Sequence, residues 1–166
     1  MKKREISCCF SGHRPAKLPW GANELDARCV ALKEELAARV SGIYQAGYRH
    51  FICGMALGCD TYFAEAVLAL RREHEDITLE AAVPCGTQPD RWTRQQRERY
   101  NALLDECDAV NVLQIDYTPE CMLQRNKYMV DRSSLLLCCY DGMPGGTMQT
   151  IVYAERNGVN VITIDI

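Results

Sequence analysis

"ICGMALGCDTYFAEAVLAL", residues 52–70, begins as a buried strand, breaks at two glycines and continues as a helix. Gly54 and Gly58 bracket three small or apolar residues, and Asp60 stands where the helix is expected to start. A glycine turn between a strand and a helix has two readings. One is plain turn-making. The other is close backbone approach to an anion or a ribose at the helix N-terminus, where free N–H groups and a partial positive charge lie. Asp60 serves both readings, as a helix cap or as an acceptor for a hydroxyl. The spacing is neither G-x-G-x-x-G nor that of a P-loop ending in Gly-Lys-Ser/Thr, so neither fingerprint applies.

Outward from this unit, apolar runs of strand length alternate with longer segments of helical period. Strands are expected at 4–10, 48–53, 77–83, 108–115, 134–140 and 159–166. Helices are expected at 24–47, 60–74, 89–107, 119–133 and 146–158, with Gly47 and Gly158 as stops and Pro119 in a first turn. Six strands alternating with five helices predict an α/β fold of one domain over 1–166. It is a Rossmann-like, doubly wound, mostly parallel six-stranded sheet with helices on both faces. Ligands of such sheets bind beyond the carboxyl ends of the strands, so the loops after each strand carry the functional question.

The chain of 166 residues has a net charge of −3, which argues against a global footprint for nucleic acid. No apolar run is long enough to span a bilayer, and the start "MKKREISCCF" lacks the apolar core of a signal peptide. Ten cysteines invite a disulfide or metal reading, but no pair has the C-x-x-C spacing of a zinc or redox site. Cys8, Cys9, Cys138 and Cys139 lie in apolar runs, where cysteine acts as a small hydrophobe. Reduced structural thiols, no metal and a cytoplasmic location are the expectation.

Three loops stand out. "SGHRP" offers Ser11, Gly12, His13 and Arg14 after the first strand, with no partner for His13 as an acid or base identifiable from sequence. "GMALGCDT" offers Gly54, Gly58, Asp60 and Thr61. "DGMPGGTMQT" places Gly145, Gly146 and Thr147 at a helix start, more glycine than a bare turn needs, which points to a phosphate cradle. Arg91, Arg94, Arg97 and Arg99, mixed with Trp92 and Tyr100, read as a solvated helix face or as a track for a nucleic-acid backbone.

The order "SGHRP", "ICGMALGCD", "AAVPCGTQPDRW" and "RNKYMVDRSSLLLCCYDGMPGGTMQTIVYA" resembles the SLOG superfamily of DprA-like and LOG-like Rossmann proteins, and within it the YpsA-like branch. The resemblance runs from Ser11 to the last strand. It implies binding of a nucleotide or nucleotide derivative at these loops, adds Arg125 and Asn126 to the site, and implies self-association into a homo-oligomer. LOG-type phosphoribohydrolases carry an arginine in a helix, then Pro-Gly-Gly-x-Gly-Thr-x-x-Glu. Arg125, Pro144, Gly145 and Gly146 match that pattern; Met148, Gln149 and Val152 depart from it, with Val152 at the glutamate position and Glu155 one turn on. DprA-type proteins bind single-stranded DNA, to which the acidic balance here is poorly suited. The expectation is therefore a nucleotide-binding, sensor-like protein with no catalytic residues, no required cofactor, no membrane partner and no nucleic acid. Nucleoside monophosphate hydrolysis and single-stranded DNA binding are the alternatives.

Overall fold

The computed structural model describes residues 2–166. In chain order the elements are β1 (Ser7–Ser11), α1 (Ala27–Gln45), β2 (His50–Cys53), α2 (Cys59–Arg71), β3 (Thr78–Val83), α3 (Arg94–Glu106), β4 (Ala109–Val112), α4 (Cys121–Asp131), β5 (Leu135–Tyr140), α5 (Gly146–Arg156) and β6 (Asn160–Asp165). Single 3-10 turns occupy Lys3–Ile6 and Pro15–Lys17. The sheet is parallel throughout, in the order β4-β3-β2-β1-β5-β6. The chain winds from β1 outward to β4, then returns to place β5 on the other side of β1. That reversal leaves a crevice at the carboxyl ends of β1 and β5.

Alternation of side chains along the strands makes two cores. Cys8 and Phe10 join Phe51, Cys53 and the apolar faces of α1 and α2, with the Phe10 ring stacked on Phe63 at 4.5 Å between centroids. Cys9, Ile52, Leu136 and Cys138 face the other way, under Met129 and Val130 of α4 and Ala154 of α5. Burial on both faces explains why β1, β2 and β5 read as unbroken apolar runs. All ten cysteines are free thiols, and all but Cys107 are buried. Burial pushes the Cys9 thiol up to about 12, far from a reactive thiolate.

The structure corrects several boundaries. Residues 3–6 form a 3-10 turn instead of the start of a strand, closed by Glu5 accepting from the Lys2 amide and by the Ser7 hydroxyl donating to the Lys3 carbonyl. α1 begins after Asp26, whose carboxylate caps the Arg28 amide, so Leu25 lies outside the helix and is 91% exposed. α3 begins only at Arg94, where Thr93 and Gln96 cap each other, and 89–93 form turns. β4 spans 109–112, not 108–115. As the sheet edge it is exposed along its length, despite an apolar sequence.

Candidate functional site

The turn at 54–58 is built by packing. Gly58 has φ of 84°, and a Cβ there would stand 2.7 Å from the His13 carbonyl oxygen. That same carbonyl accepts the Cys59 amide at 3.1 Å, so the first amide of α2 already has a partner. Asp60 is inside the first turn and does not cap its helix, correcting that expectation. Its Oδ2 accepts the Ala56 amide at 3.0 Å, and Thr61 donates to the Ala56 carbonyl at 3.1 Å. A side chain at Gly54 would strike the Arg125 guanidinium, with Cζ 2.5 Å from the added carbon. The glycines admit neighbouring protein atoms.

The N-terminus of α5 is different. Gly145 is its N-cap residue, no side chain caps it, and the space a Cβ at Gly146 would occupy is open. This helix start faces a cavity of about 330 Å³, at the lower end of the range for small-molecule sites. From the β1 loop, Ser11, Gly12, His13 and Arg14 line it; from α4, Arg125 and Asn126; from α2, Asp60; and from α5, Gly146 and Thr147. Gly54, Gly58, Thr61 and Gly145 lie outside the lining and act on its geometry from behind. Lys17 also lines the cavity, its Nζ against Gly145, and sequence reasoning missed it. Nothing local marks that lysine; the 3-10 turn at Pro15–Lys17 carries it across.

Arg125 sets the electrostatics. The residue is only 5% exposed, and it donates from Nη1 to the Gly54 carbonyl at 2.6 Å and from Nε to Asn126 Oδ1 at 2.9 Å. Its other contact is the Met122 sulfur, and among the described residues it forms no ion pair. Burial pulls its pKa down, with the nearby Asp60 charge opposing. Burial also pushes Asp60 up, opposed by Arg125 and by the Ala56 amide. Arg14, exposed, has the Met122 sulfur at 3.4 Å as its hydrogen-bond partner among the described residues. His13 is buried with Nε2 3.1 Å from Asp141 Oδ1 and 3.3 Å from the Asp141 amide. Asp141 is the partner that the sequence alone did not identify. The Met143 amide, and then His13, hold the Asp141 carboxyl below its usual range.

A second cavity of about 390 Å³ opens toward the amino ends of the strands. At its base, Glu80 accepts from Asn111 Nδ2 (2.8 Å) and the Tyr128 hydroxyl (2.7 Å) on Oε1, and His50 Nε2 lies 2.7 Å from Oε2. His50 Nδ1 meets the Thr78 hydroxyl at 2.6 Å. Burial works against ionisation of Glu80, yet these bonds outweigh it and hold the carboxyl at about 2. The arginines of α3 are likewise engaged: Arg94 with Glu98, Arg97 with the Trp92 carbonyl, and Arg99 with Glu24 and Glu65.

Among the described residues no helix is long and apolar enough to cross a membrane, and no cluster of His, Cys, Asp and Glu is grouped to hold a metal ion. The family model YpsA, described as the YspA SLOG family, matches residues 8–165. The chain is 30% identical over 140 residues to the SPbeta prophage-derived protein YoqJ of Bacillus subtilis (strain 168), covering 76% of this chain and 82% of that protein. It is 27% identical over 150 residues to a UPF0398 protein of Bacillus pumilus (strain SAFR-032), covering 89% and 80%. In fold it is similar to DNA processing protein A from Helicobacter pylori, a structure described for its single-stranded DNA binding mode. The TM-score is 0.64 at 13% identity, over 96% of this chain and 65% of that one. DNA processing protein A from Streptococcus pneumoniae gives 0.61 at 16% identity, over 96% and 50%. The chain belongs to the YpsA SLOG family.

Proposed function

From its place in that family, we propose that the chain binds a nucleotide or nucleotide-derived small molecule in the 330 Å³ cavity and does not turn it over. The observation that carries this reading is the buried Arg125, without an ion pair among the described residues and facing an uncapped helix N-terminus across the cavity. A buried cation that makes no ion pair is costly, and an anion in the cavity offsets part of that cost beside the Asp60 carboxylate already near it. The amides of Gly146 and Thr147 hold phosphate, and Arg125, Arg14 and Lys17 neutralise it. Asp60 offers Oδ1, which takes no hydrogen bond among the described residues, to a ribose hydroxyl. Gly54, Gly58, Thr61 and Asn126 fix these groups in place.

The hydrolase pattern is incomplete. Cleaving an N-glycosidic bond calls for a group to stabilise an oxocarbenium ion or direct water. Val152 occupies the position where the hydrolase pattern has a carboxylate, and Glu155 is exposed on α5 outside the cavity. The single-stranded DNA binding described for the Helicobacter pylori neighbour transfers poorly, since Arg97 and Arg99 are engaged within the chain, Arg94 faces Glu98 at the surface, and the net charge is −3.

A thermal-shift screen against nucleoside mono- and diphosphates tests the reading, with base release measured alongside. A ligand at about 100 times its dissociation constant adds roughly 2.7 kcal/mol of stability. Gly146→Val is expected to remain folded, since its Cβ meets open space, and to lose that response. A parent protein that no nucleotide stabilises, or a Gly146→Val variant that responds as the parent does, overturns the cradle. Turnover above about 0.1 per second, against the 1–10³ typical of enzymes, overturns the non-catalytic reading.

A further inference from the structure

Beside the cavity lies a groove of about 280 Å³, lined by Arg14, Pro15, Ala16, Leu57, Trp92 and Gln96. Arg14 and Ala16 line both spaces, so the two adjoin at the 3-10 turn after β1. The groove has the makings of a ring-binding surface. Trp92 is half-buried and set edge-on against Tyr100, with centroids 5.1 Å apart and planes at 86°. Its carbonyl is tied to Arg97 at 2.6 Å. The indole is therefore preset, and the proline ring and Leu57 supply the rest of an apolar slot. Gln96 spends its Oε1 on the Thr93 amide, and its Nε2 has no partner among the described residues.

Arg14 is the second, independent observation. Arg14 lines both cavity and groove, and its guanidinium has a methionine sulfur as its one hydrogen-bond partner among the described residues. A cation with no ion pair among the described residues, placed between the proposed phosphate cavity and an aromatic slot, matches a phosphate bridge between two ring systems. Building on the nucleotide reading above, we infer that the ligand is a dinucleoside pyrophosphate type of molecule. One nucleoside half occupies the cavity beside Asp60 and Arg125, the bridge crosses Arg14, and the second ring stacks on Trp92. Gln96 Nε2 donates to an acceptor on the edge of that ring.

The experiment compares mononucleotides with the corresponding symmetric dinucleoside pyrophosphates by calorimetry, in the parent and in Trp92→Ala. In parallel, indole quenching is followed in a Trp20→Phe background, which leaves Trp92 as the one tryptophan of the two in the chain. The expected result is a dinucleotide bound at least about 10-fold tighter than its mononucleotide, in keeping with base–aromatic stacking. Only the dinucleotide quenches Trp92, and Trp92→Ala removes the extra affinity while leaving the mononucleotide unaffected. Should Trp92→Ala disturb the start of α3, Trp92→Phe keeps the contact with Tyr100 and is expected to retain part of the gain. Mononucleotide binding with no gain for the dinucleotide, or a gain that survives Trp92→Ala, overturns the groove and leaves the cavity reading intact. No binding by either class overturns both. A thymidine oligomer that binds tighter than any dinucleotide, with steep salt dependence, assigns the groove to nucleic acid and overturns the small-ligand inference.

Discussion

α4 contributes to two buried charged centres, and it treats them in opposite ways. Through Tyr128 it helps enclose the Glu80 carboxylate, which takes hydrogen bonds on both oxygens from three side chains. Through Arg125, less than a turn earlier, it presents a guanidinium to a cavity with a carbonyl and an amide oxygen for company. Both centres are buried and both border a cavity of similar size. The lesson is that burial and a neighbouring hollow do not mark function. A charge whose bonds are complete within the protein belongs to the framework, and one left incomplete is arranged for something that arrives.

The largest loss of stability is expected at Glu80→Ala. Removing the carboxylate leaves His50, Asn111 and Tyr128 without their acceptor, at a cost of about 3–5 kcal/mol. For a chain of this length that lowers the melting temperature by about 10 °C, while nucleotide affinity stays unchanged. A variant that melts with the parent shows that the cluster is not framework.

Next comes acid. Glu80 has its folded-state pKa near 2 against an ordinary 4.5, so its contribution is complete above about pH 4.5 and is lost as pH falls toward 2. The span amounts to about 3 kcal/mol. Glu80→Gln is expected to flatten the acid limb of a stability–pH curve. A limb of unchanged slope places the titration elsewhere.

The smallest change in stability is expected at Arg125→Met, which removes a buried charge while keeping much of the bulk. Stability shifts by about 1 kcal/mol or less, while nucleotide affinity falls by about 10–100-fold, as for loss of a charge-assisted hydrogen bond. Loss of several kcal/mol of stability with affinity retained would reverse the roles of the two centres.

Much of the architecture was legible because periodicity and glycine punctuation are local. β1, β2 and β5 are apolar on both faces, and that is visible in "SCCFS" and "LLLCCY". "DAVNVLQI" looked the same, yet β4 is an exposed edge, since the absence of a neighbouring strand leaves no trace in a strand's own sequence. The β1 loop and the α5 start were legible as neighbours at the carboxyl end of the sheet, where the cavity lies, because topology alone brings them together there. Gly54 and Gly58 signalled close approach but not to what. The answer at Gly54 lies in Arg125, two helices and two strands away in the chain. Lys17, and the His50–Glu80 pair, carried no local signal.

The pairing of β1 with β5 governs when the cavity is completed. β1 is made first, yet Cys8 meets its partner Leu135 only near the end of the chain, and Thr147 follows later still. During translation, then, the half of the cavity built from residues 10–17 waits beside an open strand edge until β5 and α5 leave the ribosome. A chain stopping short of β5 retains most of the larger core but lacks the α5 wall of the cavity, and it leaves the flank of β1 as an unpaired strand edge.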